Sequence, residues 1–220
     1  MIKTFTVAIA ALVLLPLTMS TPAVAAPAAE TERLGVAVSR LAVAAEDRTG
    51  YQRTSFRHWN AGADPGDGCN TRQEVLITEA VVAPTVGPGC ALTGGEWTSY
   101  YDEVRVTAAG SLDIDHMVPL AEAWDSGASA WTAPRREAYA NDLGSAVSLV
   151  AVTARSNRQK SDQDPSSWLP PAEGALCRYA SEWTATKLRW SLSVDESEQD
   201  RLYVIAAGCT DTTVTWELAP

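Results

Sequence analysis

Apolar positions recur along this chain with helical spacing in some stretches and in short strand-like runs in others. Leu34, Val38, Leu41 and Ala45 fall at intervals of four, three and four, which predicts a helix over 32–46, ended by the Asp47-Arg48-Thr49-Gly50 cluster. A turn-rich loop covers 62–68, and Thr71-Arg72-Gln73-Glu74 then reads as a helix start ahead of Val75, Leu76 and Ile77. Residues 81–86 and 91–97 predict short strands about the Gly87-Pro88-Gly89 turn, and 98–106 predicts a continuing strand with Tyr100, Val104 and Val106 on one face. A strand from Asp113 into a loop at His116 is followed by helices over 120–124 and 134–143, the second with Pro134 in its first turn. Ser148–Thr153 reads as a strand and 154–161 as a short helix. Three prolines, Pro165, Pro170 and Pro171, fix an irregular segment. Helices over 176–190 and 194–207 come next, the first with Tyr179, Trp183 and Leu188 toward the core. The end of the chain, with Val214 and Trp216 alternating, reads as an edge strand. The fold class expected is α+β: one helix-rich domain with short strands.

The beginning of the chain changes the picture of where this domain works. Lys3 precedes an apolar run from Phe5 to Met19, and Pro22-Ala23-Val24-Ala25-Ala26 has the small-residue spacing of a signal peptidase site. Cleavage is expected after Ala25, with Ala28 as the alternative. The run is shorter than the ~20 residues of a spanning helix, so a secreted protein is expected rather than an anchored one. Export makes the four cysteines legible as two disulfides. Of the three pairings, Cys69–Cys90 and Cys177–Cys209 are favoured because each closes a local loop. Each adds about 3 kcal/mol in the chain-entropy account. The expected organisation is a leader over 1–25, a tail and helix over 26–50, a catalytic domain over 51–209 and a tail over 210–220.

Charge argues against bulk attraction to a polyanion. The chain has 17 Lys+Arg against 27 Asp+Glu, a net −10. Between Trp131 and Lys160 the balance inverts: Arg135, Arg136, Arg155, Arg158 and Lys160 face only Glu137 and Asp142.

Two stretches carry chemistry. Asp113-Ile114-Asp115-His116-Met117-Val118-Pro119 offers two carboxylates and an imidazole, and Ser156-Asn157-Arg158-Gln159-Lys160-Ser161-Asp162 an amide among cations. Carboxylate, imidazole and amide oxygen suit one hard divalent cation with a water activated beside it. In a regular strand Asp113 and Asp115 share a face and His116 points away. The strand must therefore end near His116, as Pro119 favours. The helix over 154–161 carries Asn157 and Lys160 three apart, on one face. With two histidines in the chain a three-histidine zinc site is impossible, and no G-x-S-x-G elbow supports a serine hydrolase. Asp64, Asp67 and their glycines miss the calcium-loop pattern because Pro65 and Gly66 break the ligand spacing. His58 is either a second catalytic histidine or packed beside Trp59, the latter being preferred. Arg72 either clamps a phosphate or pairs within its helix.

The paired motifs Asp115-His116-Met117-Val118-Pro119 and Asn157 to Asp162 resemble the HNH endonuclease superfamily in its Asp-His…Asn form. More closely, the stretch from Asp113 to Pro171 resembles secreted actinobacterial HNH proteins grouped with the C-terminal domain of GmrSD-type restriction endonucleases. The resemblance implies a ββα-metal core cleaving DNA, with RNA as a second substrate class, and leaving 5′-phosphate and 3′-hydroxyl ends. It implies Asp115 and Asn157 as ligands of Mg²⁺ or Mn²⁺, His116 as general base, and Arg158 or Lys160 toward the phosphate. Asn157 and Lys160 are counted with His116 in the catalytic set. The central Asn of the HNH pattern should fall near Ser148. Serine stands there, so Ser148 or Asn141 is expected to brace the histidine loop, and Asp113 to support the site from behind. A monomer acting on nucleic acid, without a membrane partner after leader removal, is the expectation. Its rival is a secreted binding module, for which eight tryptophans would offer carbohydrate stacking.

Overall fold

The computed structural model describes residues 1–2 and 28–220. The apolar leader and the cleavage point after Ala25 lie outside the described residues. Among those described, no helix is long and apolar enough to cross a membrane.

In chain order the elements are β1 (Glu30–Arg33), α1 (Leu34–Ser39), α2 (Thr71–Thr78), β2 (Thr85–Val86), β3 (Leu92–Thr93), β4 (Trp97–Ser99), β5 (Val104–Val106) and β6 (Leu112–His116). Then follow α3 (Leu120–Asp125), α4 (Ala133–Ala140), β7 (Leu149–Thr153), α5 (Ala154–Lys160), α6 (Leu176–Trp190), α7 (Glu196–Gly208) and β8 (Thr213–Trp216). Four two-stranded antiparallel sheets result, pairing β1 with β8, β2 with β3, β4 with β5, and β6 with β7. This is the expected α+β class.

Two local readings are corrected. The first helix spans only Leu34–Ser39, and the residues just before it form a strand. Leu34, Val38 and Leu41 are buried as the periodicity predicted, but Glu30–Arg33 finds backbone partners on β8. That pairing makes a sheet edge of what was expected as the end of a tail and the start of the helix. The predicted strand over 98–106 is instead the hairpin β4–β5, with Trp97 opposite Val106. Glu103, at φ 56, makes the reversal, and Tyr101 is thereby turned into the core.

Both faces of the β6–β7 pair are covered. Leu112 and Ile114 of β6, with Leu149 and Ala151 of β7, pack on Val75, Leu76, Trp97 and Val106. Val150 and Val152 face the larger core built by α1, α6 and α7. Alternation along β7 therefore sends every second side chain to a different core, and all five of its residues are buried. Two disulfides, Cys69–Cys90 and Cys177–Cys209, close the loops expected of them.

Candidate active site

The end of β6 is where the polar residues gather. His116 pairs with Leu149 at the last rung of the β6–β7 ladder, and one further bond runs from the Met117 amide to the Ser148 carbonyl at 2.9 Å. Pro119 then opens α3. Beyond β7 the chain enters α5, capped by Thr153, whose hydroxyl accepts from the Ser156 amide. The strand, its terminal histidine, the second strand and the helix meet around a cleft of about 440 Å³. Asp115, His116, Asn157 and Arg158 line it, with Tyr51 and Arg53.

His116 is buried, and its Nε2 lies 2.9 Å from the Ala140 carbonyl oxygen. A carbonyl only accepts, so Nε2 carries the proton and Nδ1 of the neutral ring is the free acceptor. Trp59 stacks on the ring at 5.5 Å and 27°, and Tyr139 lies nearly parallel at 6.4 Å and 21°. This enclosure strips water from the ring and pulls its pKa down to about 3. The imidazole is uncharged at neutral pH, as a proton acceptor must be.

Asp115 is also buried. Its Oδ2 accepts from the Tyr101 hydroxyl at 2.6 Å and from the Lys160 ammonium. Oδ1 has no hydrogen-bond partner among the described residues. Burial pushes the Asp115 carboxyl up and the Lys160 ammonium down, and their contact opposes both shifts. Asn157 donates from Nδ2 to Asp113 Oδ2 at 3.3 Å. With its nitrogen engaged there, the amide oxygen is the atom left to bind a ligand. Asp115 Oδ1 and Asn157 Oδ1 are thus two oxygen donors from residues lining one cleft, a fit for a hard divalent cation. The carboxylate groups that lie closest together are elsewhere: Glu46, Asp164, Asp195 and Glu198, and Glu46, Glu122 and Asp125. Each shares a member with the buried ion pairs of Lys187, which reaches Glu122 at 2.8 Å and Glu198 at 2.6 Å.

Several sequence expectations are corrected. Lys160 does not face the cleft: its side chain is fully buried, and besides Asp115 it donates to the His116 and Met117 carbonyls at 3.1 and 2.7 Å. It fastens α5 to the end of β6. Arg72 does not reach the cleft either, since Nη2 donates to the Leu112 carbonyl at 2.9 Å and holds the approach to β6. The basic stretch between Trp131 and Lys160 is largely spent internally. Arg136 donates to the carbonyls of Ser55, Ala128 and Trp131, and Arg135 lies over the rings of Trp131 and Trp190. Arg158 is the cation of that stretch that lines the cleft, its Nε 3.5 Å from Asp113.

The bracing residues take defined positions. Ser148 supports the histidine loop through its carbonyl, while its hydroxyl donates to Asp142 at 2.7 Å. Asn141 accepts from the Asn60 amide at 2.9 Å and donates to the Arg57 carbonyl at 2.9 Å. It thereby pins the segment that carries His58 and Trp59. His58 lies beside Trp59 as expected, and its ring centroid is also 6.0 Å from that of His116. Tyr51, Arg53, Trp59 and Tyr101 were not anticipated at the site. They come from loops and a turn outside both motifs, where no linear spacing marks them. No tryptophan is freely exposed: all eight are buried or half-buried, which removes the support for a carbohydrate platform.

A family model described as "GmrSD restriction endonucleases, C-terminal domain" matches residues 89–204. An "Uncharacterized secreted protein" of Arthroderma benhamiae is 41% identical over 160 residues, covering 73% of this chain and 76% of the relative. No solved structure matches the chain.

Proposed function

The chain belongs to the family of GmrSD restriction endonuclease C-terminal domains, and from that premise we propose that it is a secreted, metal-dependent endonuclease of the HNH type. Its substrate is the phosphodiester backbone of DNA, with RNA as the second polymer to test. The observation that carries the reading is the hydrogen bond of His116 Nε2 to the Ala140 carbonyl, which leaves Nδ1 as the acceptor. The ring is uncharged.

In this account His116 Nδ1 takes a proton from the attacking water. Asp115 and Asn157 would hold the cation through the oxygens that their other partners leave free. When bound, Mg²⁺ or Mn²⁺ would neutralise charge on the phosphate and on the leaving oxygen. Asp113 orients the Asn157 amide, and Arg158 donates to a phosphate oxygen. Tyr101 and Lys160 fix the Asp115 carboxylate from behind. Cleavage in this manner leaves a 5′-phosphate and a 3′-hydroxyl. Export rests on the leader pattern and on the similarity to a fungal secreted protein. General nucleic-acid degradation is the reading we favour over restriction.

The test uses the mature, disulfide-bonded protein on supercoiled plasmid and on a labelled RNA, with Mg²⁺, with Mn²⁺ and with EDTA. Metal-dependent nicks that DNA ligase reseals without prior phosphorylation are expected. Folded protein that cleaves neither polymer with either metal would refute the proposal.

A further inference from the structure

A cleft that handles a polyanion in a protein of net charge −10 needs its own cations. The arginines near this one are mostly committed. Arg48 is held by Asp125 and Asp162, and Arg57 faces Glu137 at 3.6 Å, while Arg158, only 3.5 Å from Asp113 and largely exposed, is the one already assigned to the phosphate. Arg53 differs. It lines the cleft with His116 and Asn157, it is exposed, and it makes no ion pair among the described residues.

Its backbone is nonetheless fixed. Arg53 opens a single helical turn, Arg53–Ser55, and its carbonyl accepts from the Phe56 amide at 3.1 Å. Phe56 is fully buried, and the Ser55 carbonyl accepts from Arg136 Nε at 3.2 Å. The guanidinium therefore stands on a rigid base within reach of the Tyr51 hydroxyl, with no carboxylate partner among the described residues. A guanidinium so placed suits bidentate capture of a phosphate, and only side-chain freedom is lost on binding. Arg53 also precedes residue 89, where the family match begins. The contact it offers belongs to the segment that this chain lays over the cleft.

We propose that Arg53 binds a backbone phosphate of the substrate strand, flanking the one that is cleaved, and so supplies affinity rather than chemistry. This rests on the nuclease reading above.

The test is binding of a fluorescently labelled DNA duplex of about 20 base pairs in EDTA, read by anisotropy across a salt series, for wild type, Arg53→Ala, Arg53→Lys and Arg201→Ala. Arg201 is exposed on α7 and controls for the loss of one charge anywhere on the surface. Arg53→Ala is expected to weaken binding roughly 5- to 20-fold at low salt and to reduce the slope of log affinity against log salt by about 0.9, one phosphate contact. Arg53→Lys should keep most of the slope, and Arg201→Ala should match wild type. Arg53→Ala with wild-type affinity and slope, in a protein that cleaves DNA, would overturn the assignment of Arg53 and leave the nuclease reading standing. Wild-type protein that neither binds nor cleaves nucleic acid would remove both.

Discussion

Lys160 shows most sharply how a single residue can carry the opposite role from the one its type suggests. A lysine three positions from a candidate ligand reads as a surface cation on the same face. In α5 the inward pair is instead Ser156 and Lys160, one turn apart, while Asn157 and Arg158 look onto the cleft. Lys160 sits in a cage of Tyr101, Tyr179 and Trp183 rings and donates to Asp115 and to two backbone carbonyls. Lys160→Met strands a buried carboxylate, which costs about 3–5 kcal/mol. Urea unfolding should show that loss, whereas a surface phosphate contact would leave the midpoint unchanged. Asp115, His116 and Asn157 were legible because two short motifs carry them. Trp59 and Tyr101 were not, because stacking on a ring and bonding behind a carboxylate leave no spacing to read.

Some elements whose limits are set locally were read well, and some completed by distant partners were not. The residues of α6 were read correctly from end to end, because its apolar stripe and its limits are local. β1 escaped notice because its partner β8 is at the other end of the chain. β7 illustrates a subtler dependence. Its outer edge is covered by Glu79, the residue after α2, whose Oε2 accepts from the Ala151 amide at 2.8 Å. Burial pushes the Glu79 pKa to about 7, above the 4.5 it would have exposed. The folded protein therefore holds more protons than the unfolded chain between these values. Glu79 supports the fold fully below pH 4.5 and loses that contribution as the pH rises through about 7. Glu79→Gln keeps an oxygen acceptor without the charge. Its melting temperature relative to wild type should be higher at pH 8 than at pH 5, and an equal difference at both would contradict this account of the β7 edge.

At the scale of the molecule, stability and chemistry are built in separate regions. Cys177–Cys209 ties α6 to the end of α7, and Cys69–Cys90 ties the start of α2 to the β2–β3 turn; none of the four cysteines lines the cleft. Reducing both bonds should lower stability by about 2–5 kcal/mol per bond, followed by thermal melting with and without reductant. Whatever remains folded should keep its activity. With an acidic whole and several arginines paired to carboxylates, the proposed activity would rest on a bound cation and a few side chains rather than on a basic surface. The most direct measurement is the rate of plasmid cleavage by His116→Ala in Mn²⁺, with circular dichroism to establish its fold. The account predicts a native spectrum and a rate reduced about 10²- to 10⁴-fold, the scale of a lost general base. A folded His116→Ala protein that cleaves at the wild-type rate would contradict it.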